Sequence, residues 1–193
     1  MARRLLPSLV LLGLLAAVLL HHLLNQQRPG GAEEQSFTVA GQEAVEADVA
    51  HRVVVFEGRL LADGAPWSST SARGSVLVVN LWASWCGPCR AEQPSLTAVA
   101  RAYRTKGVQV IGVNIRDNKA AARAYAGEFQ VPYPSLFDPA STTASKLGAF
   151  ALPTTFILDR DGVVAYRLTG KTTVAILTAR LDKLLAQGGR WAR

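Results

Sequence analysis

The stretch Trp82-Ala83-Ser84-Trp85-Cys86-Gly87-Pro88-Cys89 constrains this chain more than any other. It follows the apolar run Val76-Leu77-Val78-Val79-Asn80-Leu81 and leads into a helix-compatible segment over residues 90–106. A buried strand therefore delivers two thiols to the start of a helix. Thiolate is the reactive form of cysteine, and a thiol at a helix N-terminus feels the positive end of the dipole and unpaired N–H groups, which stabilise S⁻. Cys86 is accordingly the attacking sulfur. Cys89 lies three residues on, nearly one turn away on the same side, where it can resolve a mixed disulfide within the chain. Pro88 suits the first helical turn, where its missing N–H costs nothing. Gly87 leaves the approach to Cys86 unobstructed.

Two other readings of the pair compete with a redox dithiol. A Cys-x-x-Cys can be half of a four-ligand zinc site, but the chain has no third cysteine, and its histidines are His21, His22 and His51, so no metal is expected. A purely structural disulfide with a two-residue spacer closes a loop too short to constrain the unfolded chain much.

The 193 residues, 49% hydrophobic and 18% charged, suit one globular domain with one core and an appendage. The formal charge of +7 raises the question of nucleic acid. No basic cluster with interleaved aromatics supports that partner, and the arginines are scattered, so a solvated basic face is expected instead. Residues 5–20 are apolar apart from Ser8, and Arg3 and Arg4 precede them. Carried through Leu24, such a helix reaches about 30 Å, the thickness of a bilayer's hydrocarbon core. Gly30-Gly31-Ala32 offers small residues for cleavage but sits far past the apolar end, so an uncleaved anchor is favoured over a signal peptide. Arg3, Arg4 and the N-terminal amine outweigh Arg28, which places the N-terminus in the cytoplasm and the domain outside it. Three parts result: an anchor at 1–24, a flexible tether at 25–36 and a folded domain at 37–193. Outside the cytoplasm disulfides persist, so a domain whose two cysteines form one Cys-x-x-Cys has placed both at a reactive position.

Along the domain, residues 37–40 and 52–56 read as strands, 43–48 as acidic and ambiguous, and Asp63-Gly64 as a turn between short edge strands. Residues 68–74 read as loop. The strand 76–82 leads to the helix carrying the cysteines, which Gly107 stops. Residues 108–115 form a second continuous apolar strand, implying a parallel βαβ unit covered on both faces. A helix follows over 118–129, capped by Asp117 or Asn118, then a short strand at 135–137 and a short helix at 142–147 closed by Gly148. The strand 154–158, the turn Asp159-Arg160-Asp161-Gly162 and the strand 163–168 make an antiparallel hairpin. A helix over 172–186 ends the domain, with Val174, Leu177, Leu181 and Leu184 along its apolar stripe.

With this βαβ…ββα order, Trp85-Cys86-Gly87-Pro88-Cys89 and the downstream Leu152-Pro153-Thr154-Thr155 resemble the thioredoxin superfamily. The nearer likeness is to its membrane-anchored, extracytoplasmic TlpA/ResA-like branch, which includes the cytochrome c maturation thioredoxins. The resemblance spans roughly residues 56–186. It implies a thioredoxin-like α/β fold: a central mixed sheet flanked by helices, with a helix inserted between the two halves. Cytoplasmic thioredoxins carry a buried aspartate where this chain has Asn80. The branch has a glutamate three residues after the second cysteine and a proline two beyond it, matched here by Glu92 and Pro94. By resemblance Glu92 is the acid/base group near the thiols, and partial burial would raise its pKa enough to exchange protons with Cys89; an exposed helix glutamate is the plainer alternative. Pro153 corresponds to the family's cis-proline facing the dithiol, and Leu152 to the residue whose backbone pairs with a substrate strand. Trp82 and Trp85 divide between core packing and the rim of the site, with Trp85 the substrate contact beside Gly87 and Pro88.

The expected activity is thiol–disulfide exchange without a cofactor, with the Cys86 thiolate attacking, Cys89 resolving and a Cys86–Cys89 disulfide closing. Expected partners are disulfide-bearing proteins, apocytochrome c among the candidates, and a transmembrane electron donor. Gly87-Pro88 is the dipeptide of reducing thioredoxins, which favours a reductase. Two rivals stand against it. A thiol peroxidase would carry a Pro-x-x-x-Thr-x-x-Cys pattern, absent before Cys86, and a non-catalytic peptide-binding module would use the Pro153 groove alone.

Overall fold

The computed structural model describes residues 18–21, 43–47, 49 and 51–191. The chain divides into two units, Met1–Thr38 and Val39–Arg193. Of the first, residues 18–21 are described and are helical. Among the described residues no helix is long and apolar enough to cross a membrane. Most of the anchor expected at 1–24, the tether at 25–36 and the strand at 37–40 lie outside the described residues.

The second unit runs β1 (Val45–Ala47), β2 (Glu57–Arg59), β3 (Pro66–Ser68), β4 (Val76–Trp82), α1 (Gly87–Tyr103), β5 (Val108–Ile115), α2 (Lys119–Glu128), β6 (Ser135–Asp138), α3 (Thr142–Leu147), β7 (Thr154–Leu158), β8 (Val164–Thr169) and α4 (Val174–Ala186). Six strands form one mixed sheet in the order β1-β8-β7-β4-β5-β6, and β2 pairs with β3 apart from it. β5 runs parallel to β4 and to β6, whereas β7 is antiparallel to β4 and β8. The two halves, β4-α1-β5 and β7-β8-α4, thus meet along β4 and β7, with α2, β6 and α3 between them in sequence. This is a thioredoxin-like arrangement.

β4 lies at the centre and every residue of it is buried. Its side chains alternate between two cores. Leu77, Val79 and Leu81 pack with Phe56, with Ile111, Val113 and Ile115 of β5, and with Ala144 and Leu147 of α3. Val76 and Val78 pack on the other face with Leu96 and Val99 of α1 and Leu177, Leu181 and Leu184 of α4. Burial on both faces is why β4 and β5 read as unbroken apolar runs, each large side chain contributing about 1.5–3 kcal/mol of burial.

Several boundaries differ from the sequence expectations. Residues 52–56 alternate outward and inward, Val54 and Phe56 being buried, yet they form no strand: Val53 makes a single bridge to Val163. The rest of that edge of β8 is occupied by β1, from the stretch read as ambiguous, which pairs with residues 167–169. Residues 68–74 contain one 3-10 turn, Ser69–Ala72, capped by the Ser68 side chain. On α4, Leu177, Leu181 and Leu184 are buried as expected, but Val174 is 43% exposed because it sits in the first turn, ahead of the stripe's contact with the sheet. α1 stops at Tyr103, and a 3-10 turn carries the chain to Gly107, whose φ of 77° ends it.

Candidate active site

β4 emerges from the core at Trp82, and Ala83, Ser84 and Trp85 carry the chain to Cys86, the N-cap of α1. The Cys86 sulfur accepts a hydrogen bond from the Cys89 N–H at 3.2 Å, one of the donors a helix leaves unpaired at its start. The two cysteines are joined as a disulfide, with Cα atoms 5.3 Å apart. Cys86 is 4% exposed and Cys89 1%, so Cys86 is the less buried of the two residues. Both pack with Leu61, Trp82, Ala83, Ala122 and Tyr125, and Leu152 leans on the same cluster. The Leu152–Pro153 peptide bond is cis. Pro88 lies in the first turn of α1, and a Cβ built on Gly87 would meet open space, so the fold itself does not demand glycine there.

Glu92 is fully buried, which rules out the exposed-glutamate alternative. Its Oε1 accepts from Asn80 Nδ2 at 2.7 Å, and its Oε2 from the Thr172 N–H at 2.8 Å and the Thr172 hydroxyl at 2.9 Å. Asn80 Nδ2 also donates to Thr155 Oγ1 at 3.0 Å, tying β4, β7 and α1 together. Burial pushes the carboxyl up to about 7, and the donors from Thr172 and Asn80 offset only part of that rise. Glu92 follows Cys89 by three residues on one helix face, so a group half ionised near neutral pH lies almost one turn from the second sulfur.

Residues 40–183 match the Redoxin family. The chain belongs to that family. It is 35% identical over 124 residues to the thiol:disulfide interchange protein HelX of Rhodobacter capsulatus, covering 63% of this chain and 68% of that protein. Over 122 residues it is 29% identical to the thiol-disulfide oxidoreductase ResA of Geobacillus thermodenitrificans, covering 63% and 70%. Its fold is similar to the crystal structure of a DsbF homologue from Corynebacterium diphtheriae, with a TM-score of 0.66, 28% identity, and coverage of 82% of this chain and 97% of that one. This redoxin is a thiol-disulfide oxidoreductase.

The two tryptophans beside the dithiol of the redoxin differ in exposure. Trp82 is buried and stacks on Tyr125 at 4.5 Å, whereas Trp85 is 60% exposed with its Nε1 donating to the Arg116 carbonyl at 2.9 Å. The loop after β5 holds the approach to Cys86. Asp117 accepts from the Ser84 N–H at 2.6 Å, the Ser84 hydroxyl at 2.8 Å, Asn114 Nδ2 at 2.8 Å and the Asn118 N–H at 2.8 Å. Burial raises its pKa, but these donors outweigh it and hold the carboxyl below its usual range. The sequence marks Asp117 only as a helix cap; Asn118 is the cap, and Asp117 turns back onto Ser84. Thr172, expected inside the last helix, instead precedes its cap Thr173 and sits on Glu92. Tyr125, which donates to the Cys89 carbonyl at 3.1 Å, is a third residue that sequence reasoning does not single out. No local signal marks these three, since each acts across more than thirty positions of sequence. Among the described residues, no group of three or more His, Cys, Asp and Glu side chains is placed to hold a metal ion.

Proposed function

We propose that this redoxin is anchored by residues 1–24 on the outer side of a membrane and reduces disulfides of extracytoplasmic proteins, with apocytochrome c maturation a candidate role. In the reducing direction, the Cys86 thiolate attacks one sulfur of the partner disulfide; that S–S bond breaks and the second partner sulfur leaves as a thiolate, which takes up a proton. Cys89 then passes its proton to the Glu92 carboxylate and attacks the Cys86 sulfur, releasing the partner fully reduced and leaving the Cys86–Cys89 disulfide. Two electrons have moved from the redoxin to its partner. A transmembrane electron carrier returns them. Leu152, beside cis-Pro153, offers backbone groups to the partner segment, and Trp85, Gly87 and Pro88 border it.

The observation that carries this reading is the buried Glu92 carboxylate, three residues beyond Cys89 and poised to exchange a proton near neutral pH. The apolar run at 5–20 behind Arg3 and Arg4 supports the placement. Trapping tests it: Cys89→Ser expressed in its native membrane stalls at the mixed disulfide on Cys86. Capture of extracytoplasmic cysteine-bearing proteins is the expected result, with apocytochrome c singling out the maturation role. Capture of cytoplasmic proteins alone overturns the placement, and no capture overturns the reductase.

A further inference from the structure

The inserted helix α2 sends a buried hydrogen bond into the turn of α1 that carries the second cysteine: the Tyr125 hydroxyl donates to the Cys89 carbonyl at 3.1 Å. The other acceptor within its reach, Gln93 Oε1 at 3.4 Å, is farther away and already receives the Tyr133 hydroxyl at 3.1 Å, so the Tyr125 proton belongs to Cys89. The ring is held on several sides. It is 2% exposed, stacks on Trp82 with centroids 4.5 Å apart, meets Phe129 at 4.7 Å and lies under the Arg90 guanidinium. Burial also pushes the hydroxyl well above its usual range, so it keeps its proton wherever the thiols react. The turn that it grips lacks a donor of its own: Pro94 has no N–H, and the Arg90 carbonyl loses the bond that the helix would otherwise supply. An Arg90–Glu128 pair also joins α1 to α2, but it is exposed, and solvent screens it.

We propose that Tyr125 is a positioning residue for the resolving step: its hydroxyl holds the backbone of Cys89 so that the second sulfur stays aimed at Cys86 after the disulfide has opened. This rests on the assignment above of Cys86 as the attacking sulfur and Cys89 as the resolving one. While the two sulfurs are joined, the covalent bond itself fixes Cys89. Once a partner sulfur occupies Cys86, only the helix backbone and its packing do so, and an intramolecular attack is sensitive to displacements of about 1 Å. The first step makes no such demand, because the sulfur that attacks there is Cys86, three residues before the carbonyl that Tyr125 holds.

The test takes the reduced full chain in detergent and one equivalent of dithiobis(nitrobenzoate), whose two halves leave as coloured thiolates. Attack by Cys86 breaks the S–S bond of the probe and releases the first half. Attack by Cys89 on the Cys86 sulfur releases the second and closes the Cys86–Cys89 disulfide, so two electrons pass from the chain to the probe. In Tyr125→Phe, which keeps the ring and its stacking, the first release is expected at the wild-type rate and the second about tenfold slower. An unchanged second release, or a slowing of both by the same factor, overturns the assignment. A wild-type chain that releases only the first half overturns the roles given to the two cysteines, and the assignment with them.

Discussion

Two carboxylates flank the dithiol, and they titrate in opposite directions. Glu92 lies on the buried face of α1 with three donors on its oxygens, and Asp117 lies in the loop against Ser84 with four. Burial raises both. At Glu92, with no solvent exposure, burial wins and the carboxyl rises to about 7. At Asp117, which keeps contact with solvent, the donors win and the value falls below 3.8. The difference teaches that the balance between lost water and the summed donors sets the direction. It also separates the roles: a group that changes charge near neutral pH suits proton transfer, and one that stays ionised suits holding a loop.

The comparison breaks most sharply at Glu92→Gln. Removal of the titrating group is expected to slow turnover with a protein disulfide roughly a hundredfold at pH 8 and to flatten the rise in kcat through pH 7. Wild-type turnover across pH with an unchanged profile would remove Glu92 from the chemistry. Stability provides a second measurement. Because the folded value of about 7 lies above the ordinary 4.5, the folded state holds this proton more tightly. Its contribution is therefore full below about pH 4.5 and is lost as the pH rises through 7, a change on the order of 3 kcal/mol. Denaturant titrations of the oxidised protein at about pH 4.5 and about pH 8 should show that decline, and Glu92→Gln should lose it.

Asp117→Ala is expected to cost roughly 2 kcal/mol by stranding the Ser84 and Asn114 donors. Here the sign is opposite. A lowered folded value contributes stability above 3.8 that disappears as the pH falls through the folded value, so the variant should differ from wild type most at neutral pH and least in strong acid. The smallest effect is expected at Thr172. Thr172→Val removes one donor to the carboxylate, costs about 1 kcal/mol and moves the Glu92 titration upward, whereas Thr172→Ser leaves it in place. A proton-linked infrared or NMR titration of Glu92 would read the shift; a downward move would show that the hydroxyl does not favour the ionised form.

Much of this site is legible in the chain because it depends on neighbours in sequence. The spacing of Cys86 and Cys89, the apolar run before them and the glycine after the helix are local facts, and β4, β5 and α3 occupy the expected residues. Residues 52–56 read as a strand and are not one, because alternation marks a half-buried edge without saying whether a partner edge is free; β1 takes that edge instead.

The amino-acid order by itself determined that two thiols sit at a helix start behind a buried strand, since strand and helix periodicity and helix capping act over a few residues. Only the tertiary structure decided what the carboxylates do. Asn80, Thr172 and Ser84 reach Glu92 and Asp117 from 12, 80 and 33 positions away, and the degree of burial that sets each proton affinity exists only once the sheet and helices close around it.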